Sequence, residues 1–377
     1  MAHIKTTHVG SLPRGEELTP LLLARDAGKP YDAAEFDRVV SEAVDEAVKQ
    51  QVAAVVDIVS DGELGKVGYS TYMIERLSGF GGHTDRKTAA DLAEVPNLAK
   101  KLSAIMGSQE FVRASCIDEV KLVTLDPLHE DIRRFRAALD KNAAPTTEAF
   151  MNAASPGLIT AFQVNRFYPS HEAYLAALVD AMREEYETIV NAGFYLQLDC
   201  PDLAMSRHTG YQDASDEEFL KIAAANVEAL NAATANIPPE KMRMHVCWGN
   251  YEGPHDHDIA LEKVIDIVVK ARPATVLFEA ANPRHEHEWK VWKDAKLPDW
   301  KVLAPGMIDT CSNYVEHPEL IAQRIERFAG IVGADRVVAS TDCGFGTFAG
   351  YGKIDPIVTW RKLRNLREGA DIAGARL

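Results

Sequence analysis

A histidine, two cysteines and a glutamate stand where they could bind one metal ion together. His245 and Cys247 form an H-x-C pair in MHVCWGN, Glu279 follows in VLFEAAN, and Cys343 lies in ASTDCGFGT. Each segment contains a short apolar run typical of a buried strand, and parallel strands bring their carboxyl ends to one edge. Thiolates with an imidazole select Zn²⁺ over Mg²⁺ or Ca²⁺. The spacing leaves a second interpretation open, in which His245 and Cys247 are core residues at a strand end.

The elements that would position these residues alternate between strands and helices. No G-x-G-x-x-G turn follows any strand, which argues against a dinucleotide-binding sheet. The pattern therefore predicts an α/β fold of the (β/α)8 TIM-barrel type, with the candidate residues at the C-terminal mouth. The predicted strands are 55–63, 194–199, 242–246, 275–279, 302–305 and 337–341, and the predicted helices are 34–52, 173–192, 216–235, 258–271, 318–330 and 356–369.

Domain organisation is predicted to be simple. No Pro/Ser-rich linker, low-complexity tract or internal repeat divides the sequence, so we expect residues 1–377 to form a single barrel domain. The charged stretch around 85–144 fits the barrel pattern least well. It holds a β-like run, FVRASCIDEVKLVTL, before a helix-like DIRRFRAALD, and is predicted to be an excursion between barrel strands.

Composition excludes several classes of partner. The 41 Lys and Arg against 56 Asp and Glu give a net charge of −15, which disfavours nucleic acid and anionic membrane surfaces. Five cysteines are too few for a disulfide framework. The start MAHIKTTHVGS lacks the pattern of a secretory signal, so a cytoplasmic location is expected. The oligomeric state stays open, including a homo-oligomer.

The segments THVGSLPR near the start and TDCGFGT near the end, taken with those between, resemble the catalytic C-terminal barrel of the cobalamin-independent methionine synthase family. The resemblance runs over nearly the whole length and is to short, single-barrel members. It implies Zn²⁺ as cofactor. It also implies a substrate thiol that is held as a thiolate and attacks an electrophilic carbon. The implied metal ligands are His245, Cys247, Glu279 and Cys343.

The same resemblance implies how a substrate is bound. Glu63 in SDGELGK and Asp199 in LQLDCPD match the positions that bind the amino group of homocysteine. Gly10 and Ser11 in HVGSLPR match the loop that binds its carboxylate. From composition alone, the acidic run at 57–63 could instead be a solvated loop.

One departure from the family concerns the proton donor. The family segment D-x-H-S, whose histidine is assigned as the acid for the leaving group, reads Asp309-Thr310-Cys311-Ser312 here. Asp309 and Cys311 are therefore the candidate catalytic residues. A thiol with a pKa of about 8.5 is a weak general acid, which argues against a methyltetrahydrofolate donor.

Further histidines have H-x-H spacing after two strand ends, His255 and His257 in GPHDHD and His285 and His287 in NPRHEHEW. We expect these residues to support other side chains or contact substrate rather than to form a second metal site.

The predicted function is a zinc-dependent methyl- or alkyltransferase whose partners are a small thiol and an alkyl donor. Four alternatives stay open. They are thiol addition to an epoxide, as in the related epoxyalkane:coenzyme M transferases; carbon–sulfur lyase chemistry; a metal-free decarboxylase like uroporphyrinogen decarboxylase; and a non-catalytic barrel that binds zinc or a thiol.

Overall fold

The computed structural model describes residues 2–84, 87–105, 114–351 and 354–377. Eight parallel strands form a nearly closed barrel surrounded by helices, which confirms the predicted (β/α)8 fold. The strands, in chain order, are β1 Lys5–Thr6, β2 Ile58–Ser60, β3 Phe80–Gly81, β4 Ser115–Cys116, β5 Glu148–Ala154, β6 Tyr195–Asp199, β7 Met242–Val246, β8 Thr275–Phe278, β9 Val302–Ile308 and β10 Val338–Thr341.

The barrel strands follow the order β1, β10, β9, β8, β7, β6, β5, β2, and β3 and β4 form a separate antiparallel pair. Side chains bridge the remaining seam between β1 and β2. Thr6 Oγ1 donates to Asp57 Oδ2 over 2.9 Å, and Thr7 Oγ1 donates to the Ile58 carbonyl over 3.0 Å. Arg367 also donates to Asp57 Oδ2 over 2.8 Å, which ties this seam to the C-terminal helix.

Helices cover the outside of the barrel and bury their apolar faces against it. Among the residues that the structure describes, no helix is both long and apolar enough to cross a membrane. The α-helices are α1 Leu18–Asp26, α2 Ala33–Ala53, α3 Ala90–Glu94, α4 Pro96–Ile105, α5 Asp126–Asn142, α6 Pro156–Phe162, α7 His171–Asn191, α8 Asp216–Ala233, α9 Leu261–Val268, α10 Val291–Asp294, α11 Pro318–Val332 and α12 Pro356–Arg376. Short 3₁₀ helices are Tyr72–Glu75, Pro201–Leu203, Met205–Arg207, Pro239–Lys241, Glu286–Lys290 and Ala334–Arg336.

Two barrel strands, β1 and β5, are not predicted by the sequence pattern. β1 has only two residues, too few to show any periodicity. β5 reads EAFMNAA and contains no β-branched residue, so tertiary pairing with β2 and β6 decides its conformation. The helix predicted from 258 begins only at Leu261. Asp258 instead contacts the buried histidines His255 and His285.

The predicted excursion lies between β2 and β5. Its strand-like run is reduced to β4, which pairs with β3, and residues 106–113 lie outside the described part. α5 ends the excursion and packs against α2 as an ordinary barrel helix. α3 matters for the site, because Asp91 accepts a hydrogen bond from Tyr251 in the loop after β7.

Candidate active site

The side chains of His245, Cys247 and Cys343 meet at the C-terminal mouth of the barrel, and one donor atom of each lies within 4.8 Å of the others. The two Sγ atoms are 3.8 Å apart. Two thiolates on one tetrahedral zinc, with Zn–S bonds of about 2.3 Å, would be about 3.8 Å apart. A disulfide would need about 2.05 Å. The spacing of these donors therefore fits a shared zinc ion.

The electrostatics of two of these donors suit a metal site as well. The hydrogen bond with the Cys343 thiol and burial both raise the pKa of Cys247, since each favours the neutral thiol over the thiolate. Burial lowers the pKa of His245 to about 4, so its imidazole is neutral and able to ligate. The Asp342 carbonyl lies 3.1 Å from His245 Nε2 and fixes the orientation of the ring.

Glu279 lies beside this group but outside it. Its Oε1 accepts the N–H of Trp248 and its Oε2 accepts Asn282 Nδ2, both over 2.7 Å. Burial raises the pKa of this carboxyl group. The structure thus brings three of the four predicted ligands together. The fourth, Glu279, lies nearby and accepts hydrogen bonds from two other groups. Its role as a ligand stays a prediction.

A small cavity next to these donors contains the carboxylates of Glu63 and Asp199. Glu63 is 3% exposed, and its Oε2 has no hydrogen-bond partner among the residues that the structure describes. Asn152 Nδ2 donates to Asp199 Oδ2 over 3.1 Å. Burial raises the pKa of both carboxyl groups, and Asp199 raises that of Glu63 further. Since Asp61 is also buried, the alternative of a solvated loop is wrong for this segment.

The loop after β1 forms one wall of this cavity. Gly10 has φ +148°, and a Cβ there would lie 2.4 Å from Asn152 Oδ1, so only glycine fits. Ser11 lines the cavity directly and packs against Gly344, the residue after Cys343. The loop therefore lies beside the two carboxylates and the two cysteines, and its binding of a substrate carboxylate stays a prediction.

Asp309 and Cys311 line a second cavity of about 540 Å³, which also reaches Glu279 and Cys343. Cys311 Sγ donates to Asn250 Oδ1 over 3.1 Å, and the Cys311 N–H donates to Asp309 Oδ1 over 2.8 Å. Asn250 also lines the smaller cavity and so separates the two. The sequence pattern gives no signal for Asn250, because its partners come from distant segments.

A third cavity, of about 520 Å³, adjoins the smaller one through Tyr69 and Asn250. Its lining includes an aromatic wall, in which Phe162 and Phe348 pack around Tyr69. The sequence offers no clear signal for this aromatic wall, since its members come from three separate loops and helices.

The two H-x-H pairs are split by the fold. His257 Nε2 lies 3.0 Å from Glu94 Oε1, and His287 is exposed. His255 and His285 instead point to Asp258, and His208 from the loop after β6 joins them. We call Asp258 with its three histidines, 208, 255 and 285, the histidine clamp. Although burial opposes it, the hydrogen bonds to Asp258 and Glu288 raise the pKa of His285 to about 10.

Comparison with known proteins adds to this geometry. No protein-family profile matches the sequence. The methionine synthase of Thermococcus kodakarensis is 24% identical over 375 residues, covering 99% of this chain and 94% of that protein. That of Saccharolobus solfataricus is 22% identical over 380 residues, covering 99% and 96%. The chain resembles the methionine synthases over nearly its whole length.

Solved structures of methionine synthases share the fold. A B12-independent methionine synthase from Shewanella sp. W3-18-1, in complex with selenomethionine, has a TM-score of 0.76 at 19% identity, covering 100% of this chain and 99% of that one. A putative vitamin-B12-independent methionine synthase from Listeria monocytogenes has a TM-score of 0.67 at 19% identity, covering 99% and 98%. The resemblance and the barrel predicted from the sequence are both confirmed.

Proposed function

We propose that this chain is a zinc-dependent methyl- or alkyltransferase that activates a small aminothiol of the homocysteine type. The observation that carries the proposal is the pair of Sγ atoms of Cys247 and Cys343, 3.8 Å apart beside His245, at the end of a cavity with a free carboxylate oxygen. The resemblance to the methionine synthases supports the same reading. Zinc at this site would supply the deprotonation of the substrate thiol while its sulfur stays nucleophilic.

The substrate's ammonium group is proposed to bind between Glu63 and Asp199. Within the described part of the chain, Glu63 Oε2 is buried without a hydrogen-bond partner, which is costly unless a ligand supplies one. Glu63 also has φ +55°, a left-handed conformation that costs a non-glycine residue about 1–2 kcal/mol. A cation here would satisfy the free oxygen and relieve the repulsion between the two carboxylates.

The alkyl donor is proposed to occupy the cavity of about 540 Å³ that reaches Cys343 and Glu279. In the transfer, a bond forms between the thiolate sulfur and the donor carbon while the bond from that carbon to the leaving group breaks. Cys311 is positioned by Asp309 and Asn250 at the wall of this cavity. Because a thiol is a weak acid, we propose a donor that needs no early protonation, rather than methyltetrahydrofolate.

Cobalt substitution tests the proposal. In the Co²⁺ protein, homocysteine should intensify the thiolate-to-cobalt absorption, and Cys343→Ser should weaken both metal binding and that band. Cys116→Ser is the matched control, since Cys116 is a buried cysteine on β4, away from the site. A spectrum that no aminothiol alters, in a protein that retains its metal, would favour a non-catalytic zinc-binding barrel.

A further inference from the structure

The histidine clamp joins three loops of the barrel mouth. Asp258 Oδ2 is 2.9 Å from both His255 Nδ1 and His285 Nε2, and Asp258 Oδ1 is 3.1 Å from His208 Nδ1. His208 follows β6, His255 and Asp258 follow β7, and His285 follows β8. These three strands end at Asp199, at the H-x-C pair and at Glu279, so the clamp connects the loops that carry the proposed site.

The distances from Asp258 to His255 and His285 are those of hydrogen bonds, whereas His208 lies close to Asp258 without a hydrogen bond between them. Nitrogen and oxygen ligands of one tetrahedral zinc would be about 3.3 Å apart, whereas 2.9 Å is an ordinary hydrogen bond. The other ring nitrogens also have acceptors. His255 Nε2 is 2.9 Å from the Tyr251 carbonyl, and His285 Nδ1 is 2.8 Å from Glu288 Oε2.

Two ring contacts link the clamp to the backbone beside Cys247. The His285 ring lies 4.4 Å from the Trp248 ring, centroid to centroid. The His255 ring lies 4.2 Å from the Tyr251 ring, which in turn encloses Gly249. The clamp therefore fixes residues 248 and 249 from two sides.

The N–H groups of these two residues bind the proposed metal ligands. The Trp248 N–H donates to Glu279 Oε1 over 2.7 Å, and the Gly249 N–H donates to Cys247 Sγ over 3.3 Å. Donors of this kind orient ligand atoms and tune the affinity of a metal site. Any displacement of this peptide segment would move both ligand atoms at once.

We propose that Asp258 is a positioning residue for the metal site, which acts through His255 and His285 on the segment 248–249. This inference rests on the proposed function, because it takes Cys247 and Glu279 as ligands. Asp258 itself contacts neither substrate nor metal in this account.

Amide hydrogen exchange of the metal-free protein is the first test. Asp258→Asn keeps the size of the side chain and removes the charge that holds the histidines. Exchange of the Trp248 and Gly249 amides should be at least about tenfold faster in this variant, because their hydrogen bonds open more often. His287→Gln is the control and should leave exchange unchanged, since His287 is exposed and outside the clamp. If these two amides exchange as slowly in Asp258→Asn as in the parent chain, the proposal is wrong, whether or not zinc binds.

Zinc affinity, measured by competition with a chromophoric chelator, is the second test. Asp258→Asn should weaken binding by about 10- to 100-fold, as expected for loss of a supporting partner. Its Co²⁺ form should keep the thiolate bands but shift the d–d bands. Asp258→Glu should restore part of the affinity. If Asp258→Asn fails to fold, His285→Phe serves instead, because it keeps a ring on Trp248 but loses the bond to Asp258.

Two results in this second test would overturn the proposal. One is parental zinc affinity and an unchanged cobalt spectrum in a folded Asp258→Asn variant. The other is a second zinc equivalent that only this variant loses, which would make the clamp a metal site. A parent chain that binds no zinc would instead refute the proposed function, and the exchange experiment would still decide whether the clamp holds the segment 248–249.

Discussion

Replacing Glu63 with glutamine should weaken substrate binding and stabilise the ligand-free protein at the same time. Glu63 is fully buried, and Asp199 next to it repels its charge. An ammonium group about 3 Å away would gain up to about 5 kcal/mol at an effective dielectric constant of about 20, before desolvation is subtracted. Losing one partner of a buried charge pair costs about 2–4 kcal/mol in practice, so KM for the aminothiol should rise about 30- to 1,000-fold.

Glu63→Gln should weaken substrate binding but increase the stability of the folded protein. The pKa of Glu63 is raised to about 8 in the folded chain, so the fold loses stability as the pH rises from the unfolded value of about 4.5 to about 8, because the unfolded chain ionises more easily. Glu63→Gln removes this cost but keeps the same backbone strain at φ +55°. We expect an increase in stability on the order of 1–3 kcal/mol at pH 7, seen as a rise in Tm of about 1–4 °C for a chain of this length.

Steady-state kinetics with the aminothiol measure KM, and differential scanning calorimetry of the metal-loaded protein without the aminothiol measures the change in Tm. Glu148→Gln is the matched control, because Glu148 lies at the opposite end of β5 and pairs with Lys5 at 2.5 Å. That control should leave KM unchanged and should not raise Tm. A Glu63→Gln variant that is less stable than the parent and keeps its KM would refute the reasoning about this cavity.

Other predictions concern the acid position, the glycine loop and the clamp. Cys311→Ala should lower the transfer rate by less than about tenfold with the natural donor, because no early proton is needed, and steady-state kinetics decide this. Cys311→His should add folate-dependent methionine synthesis; folate activity already present in the parent chain would contradict the proposed donor class. Gly10→Ala would put a Cβ 2.4 Å from Asn152 Oδ1, and calorimetry should show a loss of about 1–3 kcal/mol. The stability that protonated His285 contributes should be complete below about pH 6.5 and disappear as pH rises through about 10. Denaturation at several pH values should show that decline in the parent and not in Asp258→Asn.

Much of the barrel could be predicted because its central strands are short, apolar and each followed by an amphipathic helix. β7 was predicted residue for residue at 242–246. β1 and β5 were not, because two residues carry no periodicity and EAFMNAA has the composition of a helix or loop. Their conformation follows from the neighbours they pair with, which a local pattern does not record.

Some residues of the candidate site could likewise be predicted from the sequence, and others could not. Residues at strand ends, such as His245 and Cys247, could be singled out because the fold type brings strand ends together. Asp258, His208 and Asn250 could not, since they lie in loops whose partners are up to about a hundred residues away. The H-x-H spacing also does not record which partner each histidine meets, because alternate residues in a loop need not share a direction: His255 faces Asp258, whereas His257 faces Glu94.

The most direct test of the central claim is X-ray absorption at the zinc edge, recorded on the zinc-loaded chain before and after addition of homocysteine. The account predicts two sulfur neighbours at about 2.3 Å from Cys247 and Cys343, with nitrogen or oxygen completing the shell, and a third sulfur at the same distance once the thiol is added. A zinc shell with fewer than two sulfurs, or one that keeps two sulfurs at saturating homocysteine, would contradict it.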